Sequence, residues 1–169
     1  MAAPALLLAA LLPALAAAQT RDQMVAEALS AAPATVAVHA TVMDWEQNVL
    51  REGTNGWTCF PSPPSIGNAP MCFDEPWLEW AHAWMNQQPV AVDRVGVSYM
   101  LQGDDGSSNT DPFAEGPTAD NHWVVEGPHI MVIVPDVAAL EGLPTDPSAG
   151  GPYVMWKGTP YAHVMIPVH

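Results

Sequence analysis

Tyr161-Ala-His-Val-Met-Ile-Pro167 carries the two-residue period of a β-strand. Side chains two apart in a strand point to the same face, so His163 and Met165 lie side by side. An earlier run, Gly127-Pro-His-Ile-Met-Val-Ile-Val-Pro135, repeats the arrangement with His129 and Met131. The echo is too short for an internal duplication. These two runs make the chain a sheet protein and raise one chemical question: whether two imidazoles and two thioethers share a surface.

Other stretches extend the sheet. Thr35–Met43 is rich in β-branched residues and reads as a strand, which adds His39 and Met43 to the same parity. Val49–Glu52 and Trp57–Phe60 follow across a polar turn and an Asn55-Gly56 turn, so the first half reads as an antiparallel meander. Arg94–Gln102 alternates with Gly96, Ser98 and Met100 on one side. His122–Glu126 and Tyr153–Lys157 supply further strands, the latter pairing Tyr153 with Met155 in parity. With consistent facing, one surface would carry three His and up to five Met.

Two helices are expected. Arg21–Ala32 has helical spacing and ends at Pro33. Asp74 is a natural N-cap for a second helix that runs to Gln87-Gln88-Pro89, with Trp77, Trp80, Ala81 and Trp84 along one stripe. Glu79 and His82 on it are only half of a Glu-x-x-His ligand pair. The expected fold is therefore a single α+β domain. A mostly antiparallel sheet of six to eight strands carries one Trp-rich amphipathic helix, with long Pro/Gly-rich loops between elements. The 18 Pro and 12 Gly fit those loops.

Residues 1–18 are nearly all Ala and Leu and end in Ala16-Ala17-Ala18, the small-residue pattern of a signal peptidase site. No Lys or Arg precedes the apolar run, a departure from the usual charged start of a signal peptide. The run is too short to span a bilayer. The expectation is a signal peptide over 1–18 and an exported domain over 19–169, periplasmic or secreted, with no transmembrane segment after cleavage.

Eighteen acidic residues face four basic ones, a net charge of −14. Such a chain repels nucleic acid and anionic membranes. The acidic residues are scattered, several of them in the loop Gly103–Asn121, where they lack the ligand spacing of an EF-hand. Cys59 and Cys72, in an exported chain, are expected to form a disulfide around a proline-rich loop. The rival reading, a thiolate metal site, has neither a matching spacing nor a His between the cysteines.

Imidazole and thioether together suit Cu(I). The candidate metal ligands are His129, Met131, His163 and Met165, with His39 and Met43 as further members. The opposing reading is that methionine is a good filler of irregular cores. A blue-copper site would need a free thiolate. No nucleophile elbow, zincin motif, phosphate loop or dinucleotide fingerprint occurs.

Gly53-Thr-Asn-Gly-Trp-Thr-Cys59, Met71-Cys72 and Thr159-Pro-Tyr-Ala-His-Val-Met165 resemble a group of short exported bacterial proteins of unknown function. The resemblance implies one exported domain and no particular activity. Three functional readings follow. The first is an exported binding protein with copper as ligand, and the second a non-catalytic envelope protein that meets a protein partner through its acidic loops. The third is a hydrolase built on His129 or His163, for which no activated nucleophile is evident.

Overall fold

The computed structural model describes residues 19–168, and the expected signal peptide over 1–18 lies outside the described residues. Helix α1 (Arg21–Ser30) starts on a capping box, in which the Thr20 hydroxyl and the Gln23 side chain satisfy each other's backbone N–H groups. The expected first strand is instead a short helix α2 (Ala34–Ala37) followed by β1 (Thr41–Met43). Pro33 supplies a helix-compatible φ of −57° at its start. The Arg51 guanidinium then takes the carbonyls of Ala37 and Ala40 at 2.6 and 2.7 Å, which a ladder partner would otherwise need. A tertiary contact thus overrides the β-branched run. His39 lies exposed in the turn between the two elements rather than on a strand.

The sheet has eight strands in the order β2-β1-β3-β4-β5-β8-β10-β9. They are β2 (Val49–Arg51), β3 (Thr58–Phe60), β4 (Met71–Phe73), β5 (Gly96–Met100), β8 (His129–Ile133), β9 (Tyr153–Met155) and β10 (His163–Pro167), besides β1. A separate two-stranded ribbon joins β6 (Ser107–Ser108) to β7 (Trp123–Val124). The pairings of the large sheet are antiparallel except one: β1 and β3 run parallel. The meander expected for the first half is therefore corrected. After β2 the chain crosses back over β1 and enters β3 on its far side. Gly53 makes that crossing, since a Cβ there would sit 2.1 Å from the Thr41 nitrogen.

Helix α3 (Glu75–Met85) is capped by Asp74, whose carboxylate accepts from Trp77 N at 2.9 Å and from Val97 N at 2.7 Å. One side chain thus starts the helix and ties it to β5. The two sheet faces are covered differently. On one, Trp77, Trp80 and Ala81 of α3 pack with Phe60, Phe73, Met100, Met131 and Met165. On the other, α1 sets Ala28 and Ala31 against Val42, Cys59 and Cys72. Beyond α1 that second face is closed by Leu140 of a 3₁₀ turn (Val137–Leu140), packed with Val154 and Ala162. Cys59 and Cys72 are direct cross-strand partners on β3 and β4 and are disulfide-bonded. Among the described residues, no helix is long and apolar enough to cross a membrane.

Candidate functional site

A cleft of about 910 Å³ opens between α3, the α3-side face of the sheet and the segment that carries Asp104 to Glu115. Its floor is set by sheet register. One row of direct partners runs Phe73, Ser98, Met131, Met165, Tyr153. A second pairs Met100 with His129, and a third pairs His163 with Met155. Met71 shares the parity of Phe73 and also lines the cleft. Two imidazoles and five thioethers therefore occupy one surface: His129 and His163 with Met71, Met100, Met131, Met155 and Met165.

The four ligands expected from the sequence all line this cleft, in the order His129, then the Met131/Met165 pair, then His163. The imidazoles do not meet at one point. His129 lies opposite Pro167, four positions along β10 from His163. At the usual rise, their backbones are about 13 Å apart along the strands. Each imidazole has its own thioethers: a direct cross-strand one, Met100 for His129 and Met155 for His163, and one two residues on, Met131 and Met165. The halves join where Met131 faces Met165. His39 and Met43 do not complete this set: His39 is exposed, and Met43 packs on the core beside α3 without lining the cleft. Among the described residues no three His, Cys, Asp or Glu side chains converge as a metal site, so any coordination shell here needs thioether sulfur.

Both imidazoles are oriented the same way. His129 Nδ1 lies 2.8 Å from the Gly127 carbonyl, and His163 Nδ1 lies 3.0 Å from the Tyr161 carbonyl. A carbonyl only accepts, so each Nδ1 donates, and in the neutral ring the lone pair sits on Nε2. A backbone carbonyl holding Nδ1–H is the usual outer support of a metal-binding histidine. His129 Nε2 is buried and has no protein partner, a costly state for a buried acceptor. The same holds for Ser98 Oγ on the adjacent row. Burial lowers the His163 pKa to about 4, so this ring stays neutral at physiological pH. Its walls are the indoles of Trp77, Trp80 and Trp156, with ring centroids 5.6, 5.5 and 4.9 Å away.

Trp156 stands out in the backbone as well. Its φ of 57° is in the left-handed region, where a bulky residue is strained by about 1–3 kcal/mol. Two bonds hold it there: its N–H donates to Asn109 O at 2.9 Å and its Nε1 to Ser108 O at 2.6 Å. The indole is thereby laid parallel to Trp80, at 7° and 6.1 Å, and beside Trp84. At Gly106 a Cβ would lie 2.2 Å from Trp123 Nε1, so only glycine lets that indole close over the ribbon at the cleft rim.

Carboxylates stand on one side. Asp104 accepts from Gly106 N at 2.8 Å and from Glu126 N at 3.3 Å. Burial pushes its carboxyl above the ordinary range, opposed by the nearby His129. Tyr153 donates its hydroxyl to Glu126 Oε1 at 2.6 Å, and burial together with that bond pushes the phenol pKa well up. Trp156, Asp104 and the unpaired Ser98 carry no local sequence signal. They become visible only through backbone conformation and burial. No known protein family matches this chain, and no curated protein or solved structure is detectably similar to it.

Proposed function

We propose that this chain is a binding protein that works outside the cytoplasm and takes up Cu(I) on the floor of its cleft. The observation that carries the reading is the register: two His/Met/Met half-sites that share the facing Met131–Met165 pair. Cu(I) is soft and accepts few ligands, so two thioethers and an imidazole nitrogen suffice. The chain supplies both an imidazole nitrogen and the outer carbonyl that aims it. His163 needs no deprotonation at neutral pH, which removes the usual proton competition at that ligand. The Cys59–Cys72 disulfide supports an oxidising compartment. A signal peptide over 1–18, as expected from the sequence, would place the chain in the same compartment.

The test is a Cu(I) titration of residues 19–169 against a coloured Cu(I) chelator. Met131→Leu/Met165→Leu keeps volume and apolarity, so the fold should survive at under about 1.5 kcal/mol per site. The double variant should lose at least about tenfold in Cu(I) affinity, or about 1.4 kcal/mol. Combining His129→Phe with His163→Phe should lose more. Wild-type affinity in both double variants would reject the site.

A further inference from the structure

A Cu(I) ion occupies only a small corner of a 910 Å³ cleft, and this volume is in the range that holds a whole small organic molecule. The charge of the lining is one-sided. Asp104, Asp105, Asp111 and Glu115 line it, and no Lys or Arg does. Nor is a cation free to swing in, because all four basic side chains of the chain are engaged elsewhere. Arg21 donates to Leu50 O and Arg51 to the carbonyls of Ala37 and Ala40. Arg94 pairs with Glu75, Glu79 and Asp93, and Lys157 with Glu141. The walls are indoles: Trp84, Trp123 and the strained Trp156 line the cleft, and aromatic faces attract cations. Deep inside, His129 offers a buried, unpartnered Nε2 acceptor within electrostatic reach of Asp104.

We propose that the cleft binds a small hydrophobic amine in its protonated form. The ammonium donates an N–H to His129 Nε2 beside Asp104, and the apolar body lies against the indoles and thioethers. The arrangement supplies the three things such a ligand needs: an acceptor at the end, negative charge nearby with no competing cation, and aromatic walls. An ammonium beside Asp104 also favours the charged carboxylate that burial otherwise disfavours. This proposal does not rest on the copper reading. The two share the His129 lone pair, so Cu(I) bound in the His129 half and the amine exclude each other.

The experiment uses metal-free residues 19–169 and follows tryptophan fluorescence and calorimetry. The probes are 2-phenylethylammonium, its neutral isostere 2-phenylethanol, and the anion 3-phenylpropanoate. The ammonium should bind saturably, at least about tenfold tighter than the alcohol. The anion should not bind, and added salt should weaken the ammonium. Asp111→Asn/Glu115→Gln changes only exposed positions and serves as the fold-safe variant. It should weaken the ammonium by severalfold and leave the alcohol unchanged, and His129→Phe should remove the preference for the ammonium. Equal binding of alcohol and ammonium, binding of the anion, or no saturable signal with any probe would each overturn the proposal. Failure here leaves the Met131/Met165 chelator assay intact, and failure of that assay leaves amine binding intact, so the two readings fall separately.

Discussion

The two faces of one sheet solve the same burial problem with different materials. On the α1 face, Ala28, Ala31, Ala40, Val42, Cys59 and Cys72 are small, rigid and close-packed, and a disulfide lies among them. On the α3 face, methionine, tryptophan and histidine surround a cleft and leave His129 Nε2 and Ser98 Oγ unpaired. Small residues let backbones approach and leave no space to bind anything. Flexible thioethers and flat indoles tolerate a cavity, because each fills space irregularly and without a polar demand. The first face is packed shut around its staple, and the second, on the reading proposed above, is shaped for a guest.

That comparison can be broken in four ways, from the largest expected effect downward. The paired variant Cys59→Ala/Cys72→Ala removes a cross-link over a sequence separation of 13 and should cost about 3 kcal/mol in urea unfolding. Loss of under about 1 kcal/mol would mean that the α1 face does not depend on its staple.

The second uses pH. Unfolded, His163 takes a proton near pH 6.5; folded, it resists until about pH 4. Between these values the unfolded chain binds more protons, so stability rises with pH. It is fully present above about pH 6.5 and is lost as pH falls toward 4, by up to about 3 kcal/mol. Denaturation followed from pH 7 to pH 4 should show this slope, and His163→Leu should flatten it. An unchanged slope in the variant would assign acid sensitivity to other groups.

Third, overpacking should separate the faces. Ala31→Leu, at a fully buried position on the α1 face, should cost about 1–3 kcal/mol. The same enlargement at Ala81, which lines the cleft, should cost less than about 1 kcal/mol. Equal costs in calorimetric melting would erase the distinction between a tight face and a roomy one. Fourth and smallest, Ser98→Ala removes an unpaired buried hydroxyl next to Met131 and should stabilise the protein by about 1 kcal/mol. Destabilisation would show that this hydroxyl has a partner in solution.

Much of the α3 face was legible from residue order. Alternation put His129 with Met131 and His163 with Met165, and Asp74 with the Trp spacing marked the helix over that face. These are local properties, set by a period of two or of 3.6 residues. Thr35–Met43 misled because its β-branched residues set only a local preference, and Arg51, distant in sequence, donates to the carbonyls of Ala37 and Ala40. The meander misled because turn residues say that a chain reverses, but not on which side of β1 it returns.

Sequence alone determined that His129 points with Met131 and His163 with Met165, the strongly acidic charge and the pairing available to the only two cysteines. Tertiary structure decided that Met131 faces Met165, that Met100 and Met155 stand beside the two imidazoles, and that the imidazoles are held apart. It also decided that Trp156 is bent into the cleft and that every basic side chain is engaged away from it. The physical reason is one of range. Facing follows from the backbone geometry of neighbouring residues, whereas register, cavity and charge balance arise only when distant strands pair and bury the same space.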